Sequence, residues 1–328
     1  MSPISISVPT RIADLGGWTD TWFAQHGLVC HLAVWPGVDV TVQPVDGPPG
    51  VVVRLGNFAR AWRWTPGLDA RATPDPLIAA CLDEAGVPPG AWILDVRSDV
   101  PPGASMGTSA SVCVGVLAAL AQVAGLPIAP AQLARRAHVV ETERLGQQSG
   151  IQDQWAAAAG GINLITMDAY PLATRAAIAL PPGTGAALEA QLLVVLLSRG
   201  HDSSAVHDLV VRQLADAGPD DPRLEALRRC ARDGAEALQA GDLARYGAVL
   251  TRNTEAQAAL HPSLVNHEAH AIIAAVTVPD TLGVKVNGAG GAGGSLTVLA
   301  ATPEARARLV ARLAADCPGA RVLDVTLA

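Results

Sequence analysis

The sequence predicts an α+β protein of two domains, in which an N-terminal α/β domain precedes a C-terminal domain with helices on one face of a small sheet. Three observations predict this class. Half of the 328 residues are hydrophobic, which suffices for two ordinary cores. Short β-like runs occupy roughly the first 100 residues, whereas long helical stretches dominate the second half. A Pro- and Gly-rich break at 181–185 separates the two patterns, so we place the boundary between domains 1–185 and 186–328.

The first half alternates strands and turns before two helices appear. Runs rich in Val and Ile, bounded by turn residues, predict strands at 4–8, 27–34, 38–42, 51–55 and 92–96. Gly125 and Pro127 close an apolar stretch and predict a helix at 111–124. Pro130 opens the next predicted helix, 130–145, because its fixed φ suits the first helical position. A strand is predicted at 162–167.

The second half begins with a buried strand at 191–198. Helical periodicity then predicts helices at 204–217, 221–240, 242–259 and 264–275. Strand signals return at 283–286 and 295–300, and a helix at 303–315 and a strand at 321–326 follow.

Composition excludes several function classes. A formal charge of −7 and a pI near 5.6 argue against a surface for nucleic acid or anionic membrane. The five cysteines are scattered and lack CxxC spacing, which is typical of reduced core residues in a cytosolic protein. Neither a signal peptide nor a membrane-spanning run is apparent in the sequence, so we expect a cytoplasmic protein.

The segment 100–111, Val-Pro-Pro-Gly-Ala-Ser-Met-Gly-Thr-Ser-Ala-Ser, is the most informative in the chain. Gly103 and Gly107 allow tight turns, and Thr108 or Ser109 can cap the helix that follows. The free N–H groups and positive dipole end of a helix N-terminus suit a phosphate, and hydroxyls there can bind Mg²⁺. Because the Lys-Ser/Thr pair of a P-loop is missing, phosphate binding would depend on backbone, dipole and metal. An ordinary capped helix after a Gly-Pro turn explains the same pattern equally well.

Two further glycine-rich segments accompany this loop. The first, 9–20, reads Pro-Thr-Arg-Ile-Ala-Asp-Leu-Gly-Gly-Trp-Thr-Asp, and the last, 283–294, reads Gly-Val-Lys-Val-Asn-Gly-Ala-Gly-Gly-Ala-Gly-Gly. Together and in this order, the three segments resemble the three motifs of the GHMP kinases, which include galactokinase, homoserine kinase, mevalonate kinase and phosphomevalonate kinase. The resemblance covers about residues 5–300. The form Leu-Gly-Gly-Trp-Thr-Asp is closer to fucokinase and heptose-7-phosphate kinase than to galactokinase, whose motif carries Glu-His before Thr-Asp.

The resemblance implies a two-domain fold, with a ferredoxin-like C-terminal domain and an active site between the domains. It also implies an ATP- and Mg²⁺-dependent kinase acting on a small-molecule sugar, with the anomeric hydroxyl as the expected acceptor. We expect a monomer or a homodimer. The residues that the resemblance assigns to the nucleotide are Pro102, Gly103, Ala104, Ser105, Met106, Gly107, Thr108, Ser109, Gly290 and Gly291.

Glu141 is the candidate metal ligand. On the predicted helix 130–145, Leu133, Ala137 and Val140 define the apolar stripe. Glu141 lies at the edge of that stripe, whereas Glu143 faces solvent. An inward carboxylate is costly unless it meets a cation, although a surface glutamate on a slightly rotated helix fits the pattern as well. Glu141 also matches the family's magnesium-binding glutamate, with Ser109 as its partner on the metal.

Asp153 is the candidate catalytic base. On spacing alone it is better interpreted as the N-cap of a short helix. The segment Gly-Ile-Gln-Asp-Gln at 150–154 nevertheless resembles the Gly-x-x-Asp-Gln sequence of galactokinases and heptose kinases, in which the aspartate faces the substrate hydroxyl. Arg11 matches the family arginine that lies beside this aspartate and stabilises the transferring phosphoryl charge.

The sugar is assigned to two segments. Gly17, Trp18 and Asp20 belong to the first motif, in which the aspartate binds sugar hydroxyls and the tryptophan can stack on the ring, although a tryptophan is more often a core residue. Gly200, His201 and Asp202 follow the first C-terminal strand and can contact sugar hydroxyls, and a solvated turn is an equally good interpretation. Trp62 and Trp64 are adenine candidates by position only, with core packing favoured.

Two alternatives to a sugar kinase remain. One keeps the kinase and changes the acceptor to an amino-acid or mevalonate-like alcohol, against which the Gly-Gly-Trp-Thr-Asp form argues. The other is a sugar or nucleotide sensor without catalysis. The combined presence of Arg11, Glu141 and Asp153 argues against a sensor, which needs no such set.

Overall fold

The computed structural model describes residues 2–126, 128–197, 203–214, 217–291 and 293–328. The chain forms two compact units. The first unit contains Met1–Thr10, Pro36–Pro101 and Gly107–Gly160, and the second contains Arg11–Trp35, Pro102–Met106 and Gly161–Ala328. Strands β1 (Ile4–Leu15) and β2 (Gly27–Pro44) contribute residues to both units. The functional boundary expected after residue 185 stays a prediction.

The first unit is an α/β unit. After β2 its elements are β3 (Gly50–Leu55), β4 (Arg60–Trp64), α1 (Pro76–Ala85), β5 (Ala91–Ser98), α2 (Thr108–Val123), α3 (Pro130–Val139) and α4 (Gln152–Ala159). Strand β3 pairs in parallel with β5 and antiparallel with β4, and β5 pairs antiparallel with the part of β2 in this unit. Val38, Val40 and Val42 alternate along β2 and pack with helix residues such as Leu82 and Leu117 in one buried cluster.

The expected strands 27–34 and 38–42 are one continuous strand. The prediction of a break at Pro36 and Gly37 is therefore wrong. A Cβ atom at Gly37 would lie 2.0 Å from the carbonyl oxygen of Val8, so this glycine permits β1 to approach β2 closely rather than ending the strand.

The second unit has an α+β arrangement. Its remaining elements are β6 (Ile162–Ala169), β7 (Leu172–Ala177), α5 (Thr184–Gln191), β8 (Leu192–Leu196), α6 (Ser203–Gln213), α7 (Pro222–Ala240), α8 (Leu243–Leu260), α9 (His267–Val276), β9 (Thr281–Val286), β10 (Ser295–Ala300), α10 (Pro303–Asp316), β11 (Arg321–Leu323) and β12 (Thr326–Leu327). Four strands form an antiparallel sheet in the order β11-β8-β10-β9. Val195, Val284 and Val298 of this sheet share a core with Ile272 of α9 and Leu309 of α10. The predicted α+β class is confirmed.

Several local expectations differ from the structure. The sequence interpretation missed β4, α1, β7 and α5. The predicted helix 130–145 ends at Val139, and a π-helix over Val140–Arg144 follows it. The expected strand 321–326 is two short strands, and the remaining helical turns are 3₁₀ turns at Gly56–Phe58, Ala70–Ala72 and Pro262–Leu264. In the parts of the chain that the structure describes, no helix is both long and apolar enough to cross a membrane.

Candidate active site

The N-terminus of α2 follows directly on the glycine loop, as expected, but it is capped differently. The helix begins at Thr108, and Gly107, at a φ of 71°, occupies the N-cap position without any side-chain cap hydrogen bond. The expectation that Thr108 or Ser109 caps the helix is therefore wrong, because both residues lie within its first turn. An uncapped first turn leaves backbone N–H groups that suit a phosphate.

The loop that precedes α2 is held by the first and third motifs within the second unit. The backbone N–H of Arg11 donates to the carbonyl oxygen of Met106 at 2.9 Å, and the Arg11 guanidinium donates to the carbonyl oxygen of Ser105. The hydroxyl of Ser295 donates to the carbonyl oxygen of Ala104 at 2.7 Å. Ala104 and Met106 are both buried in this loop. All three sequence motifs thus converge on the loop 102–106.

Glu141 lies in the interior of the first unit. Its side chain is 3% exposed, and the hydroxyl of Ser149 and the amide of Gln154 both donate to Oε2, the former at 3.1 Å. Burial raises the pKa of Glu141, and the nearby charge of Asp153 raises it further, while a hydrogen bond from the Ser109 hydroxyl opposes both. Glu143 is exposed. The expectation that Glu141 faces inward and Glu143 outward is confirmed, although the π-helix replaces the regular turn on which it was based.

The surroundings of Glu141 fit a magnesium ion. Mg²⁺ takes oxygen ligands and usually retains waters, so it needs few protein carboxylates. Glu141 is a buried carboxylate whose donors among the described residues, Ser149, Gln154 and Ser109, are all neutral, and Ser109 adds a hydroxyl oxygen. Gln154 is fully buried, and its Oε1 has no hydrogen-bond partner in the described structure. Within the described ranges, no group of three or more His, Cys, Asp or Glu side chains is arranged to hold a metal.

Asp153 lies in the first turn of α4, and the amide of its neighbour Gln152 donates to it. Ile151 occupies the N-cap position. The interpretation of Asp153 as an N-cap is therefore wrong. Its electrostatic influence on Glu141 brings the candidate base and the candidate metal ligand into one acidic cluster beside Ser109. Gln154, which the sequence interpretation overlooked, joins Glu141 to the loop that carries Ser149.

Hydrogen bonds hold the third motif at Asn287 and again at Gly291. Asn287 accepts from the backbone N–H of Ala13 at 3.0 Å and from the hydroxyl of Thr297 at 2.8 Å, and it donates to Ser295 at 3.0 Å. Further along, the N–H of Gly291 donates to the carbonyl oxygen of Leu264 at 3.0 Å, and Asn266 donates to the Gly291 carbonyl oxygen. Both backbone polar groups of Gly291 thus have protein partners, and its proposed contact with the nucleotide stays a prediction.

The sequence interpretation also missed Asp14 and Lys285. Both side chains are almost completely buried, and Lys285 Nζ lies 3.4 Å from Asp14 Oδ1. One signal was available in the sequence, because Lys285 is the only lysine and lies within an apolar strand. Asp14, by contrast, gives no local sign of its partner.

The residues assigned to the sugar are placed unevenly. Asp20 is 4% exposed, in the turn that follows β1. Trp18 is also buried, with a φ of 80°, and packs in an apolar cluster with Phe23, at 6.3 Å between ring centroids, and Leu264. Core packing, which was the alternative for Trp18, describes its observed surroundings. Trp64 belongs to the hydrophobic core of the first unit, and Trp62 packs against that core. The assigned residues Gly200, His201 and Asp202 lie outside the described residues.

Comparison with known proteins finds a family match over part of the chain. The profile of the GHMP kinases N terminal domain matches residues 76–161, which include α2, Glu141 and Asp153. This part of the chain is therefore similar to a GHMP kinase N-terminal domain. The match agrees with the resemblance drawn from the three motifs.

Individual relatives lie in several branches of the GHMP kinases. The D-glycero-alpha-D-manno-heptose 7-phosphate kinase of Campylobacter jejuni is 26% identical, with 62% of this chain and 60% of that protein covered. The L-fucokinase/L-fucose-1-P guanylyltransferase of Bacteroides fragilis is 26% identical, with 97% of this chain and 37% of that protein covered. This chain thus matches less than two thirds of the length of either relative. The crystal structure of Methanococcus jannaschii mevalonate kinase aligns over 100% of this chain and 99% of its own at a TM-score of 0.79 and 15% identity, which shows a shared fold.

Proposed function

We propose that the protein is an ATP-dependent kinase that transfers the γ-phosphate of ATP to a sugar hydroxyl, with Mg²⁺ as cofactor. The expected acceptor is the anomeric hydroxyl. The observation that supports this best is the acidic cluster of Glu141 and Asp153, with Ser109 at the start of α2. A buried carboxylate whose donors in the described part of the chain are neutral, close to an uncapped helix N-terminus, provides the parts that a metal-bound polyphosphate needs.

The donor is assigned to the loop and to the helix that follows it. The first-turn N–H groups of α2 and the backbone of residues 102–107 hold the phosphates. Glu141 and Ser109 hold the magnesium ion, which neutralises negative charge on the phosphates when it is bound. Arg11, whose guanidinium contacts the Ser105 carbonyl, keeps its proposed role in stabilising the charge of the transferring group. This assignment goes with the proposed division into an ATP-binding part, 1–185, and a C-terminal part, 186–328.

The reaction requires a base for the acceptor hydroxyl. We assign this role to Asp153, which lies in the first turn of α4 and whose charge acts on the proposed metal ligand Glu141. The sugar oxygen forms a bond to the γ-phosphorus, the bond from that phosphorus to the β–γ bridging oxygen breaks, and the hydroxyl proton passes to the Asp153 carboxylate. ADP leaves, and the sugar carries the phosphate.

The acceptor is proposed to be a sugar because of the first motif. Asp20, at the end of Leu-Gly-Gly-Trp-Thr-Asp, supplies a carboxylate that can accept from two neighbouring hydroxyls. The curated relatives that act on heptose 7-phosphate and on fucose support the sugar assignment. The mevalonate kinase of Thermococcus sibiricus is likewise 26% identical, with 72% of this chain and 68% of that protein covered, so the choice of a sugar over mevalonate rests on the first motif.

A substrate panel tests the proposal. The purified chain is incubated with ATP, Mg²⁺ and single acceptors: fucose, galactose, free and 7-phosphorylated heptoses, mevalonate and homoserine. ADP release is measured, and ³¹P NMR of the product identifies the phosphorylated hydroxyl. We expect turnover with one class of sugar and none in the Asp153→Asn variant. Turnover with mevalonate or homoserine alone would replace the sugar by another alcohol, and nucleotide binding without turnover on any acceptor would leave a sensor.

A further inference from the structure

A closed ring of hydrogen bonds and one ion pair includes Gly288, the first residue of the glycine run in the third motif. Asp14 Oδ1 accepts from the N–H of Gly288 at 3.0 Å and lies 3.4 Å from Lys285 Nζ. Lys285 Nζ donates to Gln257 Oε1 at 3.0 Å, and Gln257 Nε2 donates to the carbonyl oxygen of Gly288 at 3.0 Å. Both backbone polar groups of one glycine are therefore held by three buried side chains.

Burying the polar and charged side chains of this ring costs free energy. Asp14, Lys285 and Gln257 are each at most 1% exposed, and removing two charges from water costs several kcal/mol per ion in general. Burial raises the pKa of Asp14, but Lys285 and Arg11 together bring that pKa below its usual range, so the carboxylate stays ionised. Apolar side chains of similar volume often stabilise a core as well as such a pair does. Core stability thus explains the presence of these polar side chains poorly. Their hydrogen bonds to the backbone of Gly288 explain it better.

Gly288 occupies a demanding position. Its φ of 60° lies in the left-handed region, and a Cβ atom there would lie 3.1 Å from Ser105 Cβ and 3.3 Å from Arg11 Nη2. Gly288 therefore lies against the loop 102–106 and beside the Arg11 guanidinium. A shift of Gly288 would disturb Ser105 and Arg11, both of which the proposed function places at the nucleotide.

We infer that Asp14, Lys285 and Gln257 are positioning residues that fix the Gly288 turn, and through it the Ser105 backbone and Arg11, in the geometry that binds the nucleotide. This inference rests on the proposed function, because it takes the loop 102–106 to be the phosphate site. The three residues act through Gly288 and touch no ligand themselves.

The first test measures nucleotide affinity in variants matched for stability. Lys285→Met and Gln257→Leu break the ring at two points, and Leu309→Ala in the core shared by β8–β10, α9 and α10 is the control, since none of the bonds of the ring involves Leu309. Dissociation constants for Mg·ADP are measured by calorimetry below the melting temperature of each variant. We expect an increase of tenfold or more for the two ring variants and less than threefold for the control. A Gln257→Glu variant, which keeps an oxygen for Lys285 but removes the donor to Gly288, should behave like Gln257→Leu.

The second test needs no variant. Because Lys285 is the only lysine, ¹⁵N-lysine labelling gives a single side-chain Nζ signal. We expect this signal to be protected from solvent exchange and to shift when Mg·ADP is added, whereas the addition of Mg²⁺ alone should leave it in place. Equal Mg·ADP affinities in all variants, together with an Nζ signal that ignores Mg·ADP, would overturn this inference alone. A wild-type protein that does not bind Mg·ADP would overturn the proposed function, and the inference with it.

Discussion

Replacing Glu141 by glutamine should separate stability from metal binding. The change keeps the size of the side chain and removes its charge, in a position that is 3% exposed. The Ser109 and Ser149 hydroxyls can rotate to accept from the new amide, and the Gln154 amide can turn to offer Oε1, which has no partner in the described structure. Burial raises the pKa of Glu141, so the ionised side chain destabilises the fold at neutral pH. We expect Glu141→Gln to melt at the same or a higher temperature than the wild type.

Metal affinity should change in the opposite direction. A hydrogen bond or ligand contact to a charged group contributes about 1.5–3 kcal/mol, which corresponds to about 10- to 150-fold in affinity. Two measurements report this: Mn²⁺ binding in the presence of ADP by electron paramagnetic resonance, and the Mg²⁺ concentration that gives the half-maximal rate.

Glu143→Gln is the matched control, because Glu143 lies two residues away on the same π-helix and is exposed. This variant should leave both metal measurements within about twofold of the wild type, since removing one exposed charge typically has a small effect. Equal metal affinities in the two variants would refute the assignment of Glu141. A large loss of stability in Glu141→Gln would refute the view that its buried charge is costly.

Three further predictions concern single residues. Asp153→Asn should keep the fold and Mg·ATP affinity while lowering kcat by at least 100-fold, the usual scale for a general base; near-wild-type turnover would exclude this role. Asp20→Ala should raise KM for the sugar by about 10-fold or more and leave KM for ATP nearly unchanged, because each charged hydrogen bond contributes about 1.5–3 kcal/mol; a parallel loss for ATP would mean that Asp20 supports both sites. Burial lowers the pKa of His138 to about 4 in the folded protein, against 6.5 as its ordinary value, so its contribution to stability is complete above pH 6.5 and is lost as the pH falls toward 4. In urea unfolding, the free energy of unfolding of the wild type should fall by up to about 3 kcal/mol across this pH range. His138→Gln should largely remove this pH dependence, whereas His270→Gln, at an exposed position, should keep it. Identical pH profiles in all three proteins would contradict the prediction.

The site could be predicted from sequence where its signals are local. The loop 102–107 and the start of the following helix are encoded by consecutive residues, and the inward direction of Glu141 follows from its spacing after Leu133 and Ala137. The pattern misplaced the N-cap by one or two residues, because the hydroxyls of Thr108 and Ser109 satisfied the usual preference, whereas Gly107 occupies the N-cap with a left-handed backbone. Trp18 could not be assigned from its motif, since only its neighbours show that it packs in an apolar cluster.

Tertiary structure decided the features that depend on residues far apart in the sequence. The sequence by itself determined the α+β class, the convergent motifs and the acidic residues beside the loop, because periodicity and glycine placement act over a few residues. It could not show that Pro36 and Gly37 lie inside a continuous strand, since that depends on the approach of Val8. Nor could it pair Asp14 with Lys285 and Gln257, because no local pattern records a partner more than 200 residues away, and only the folded chain brings their charges to one glycine.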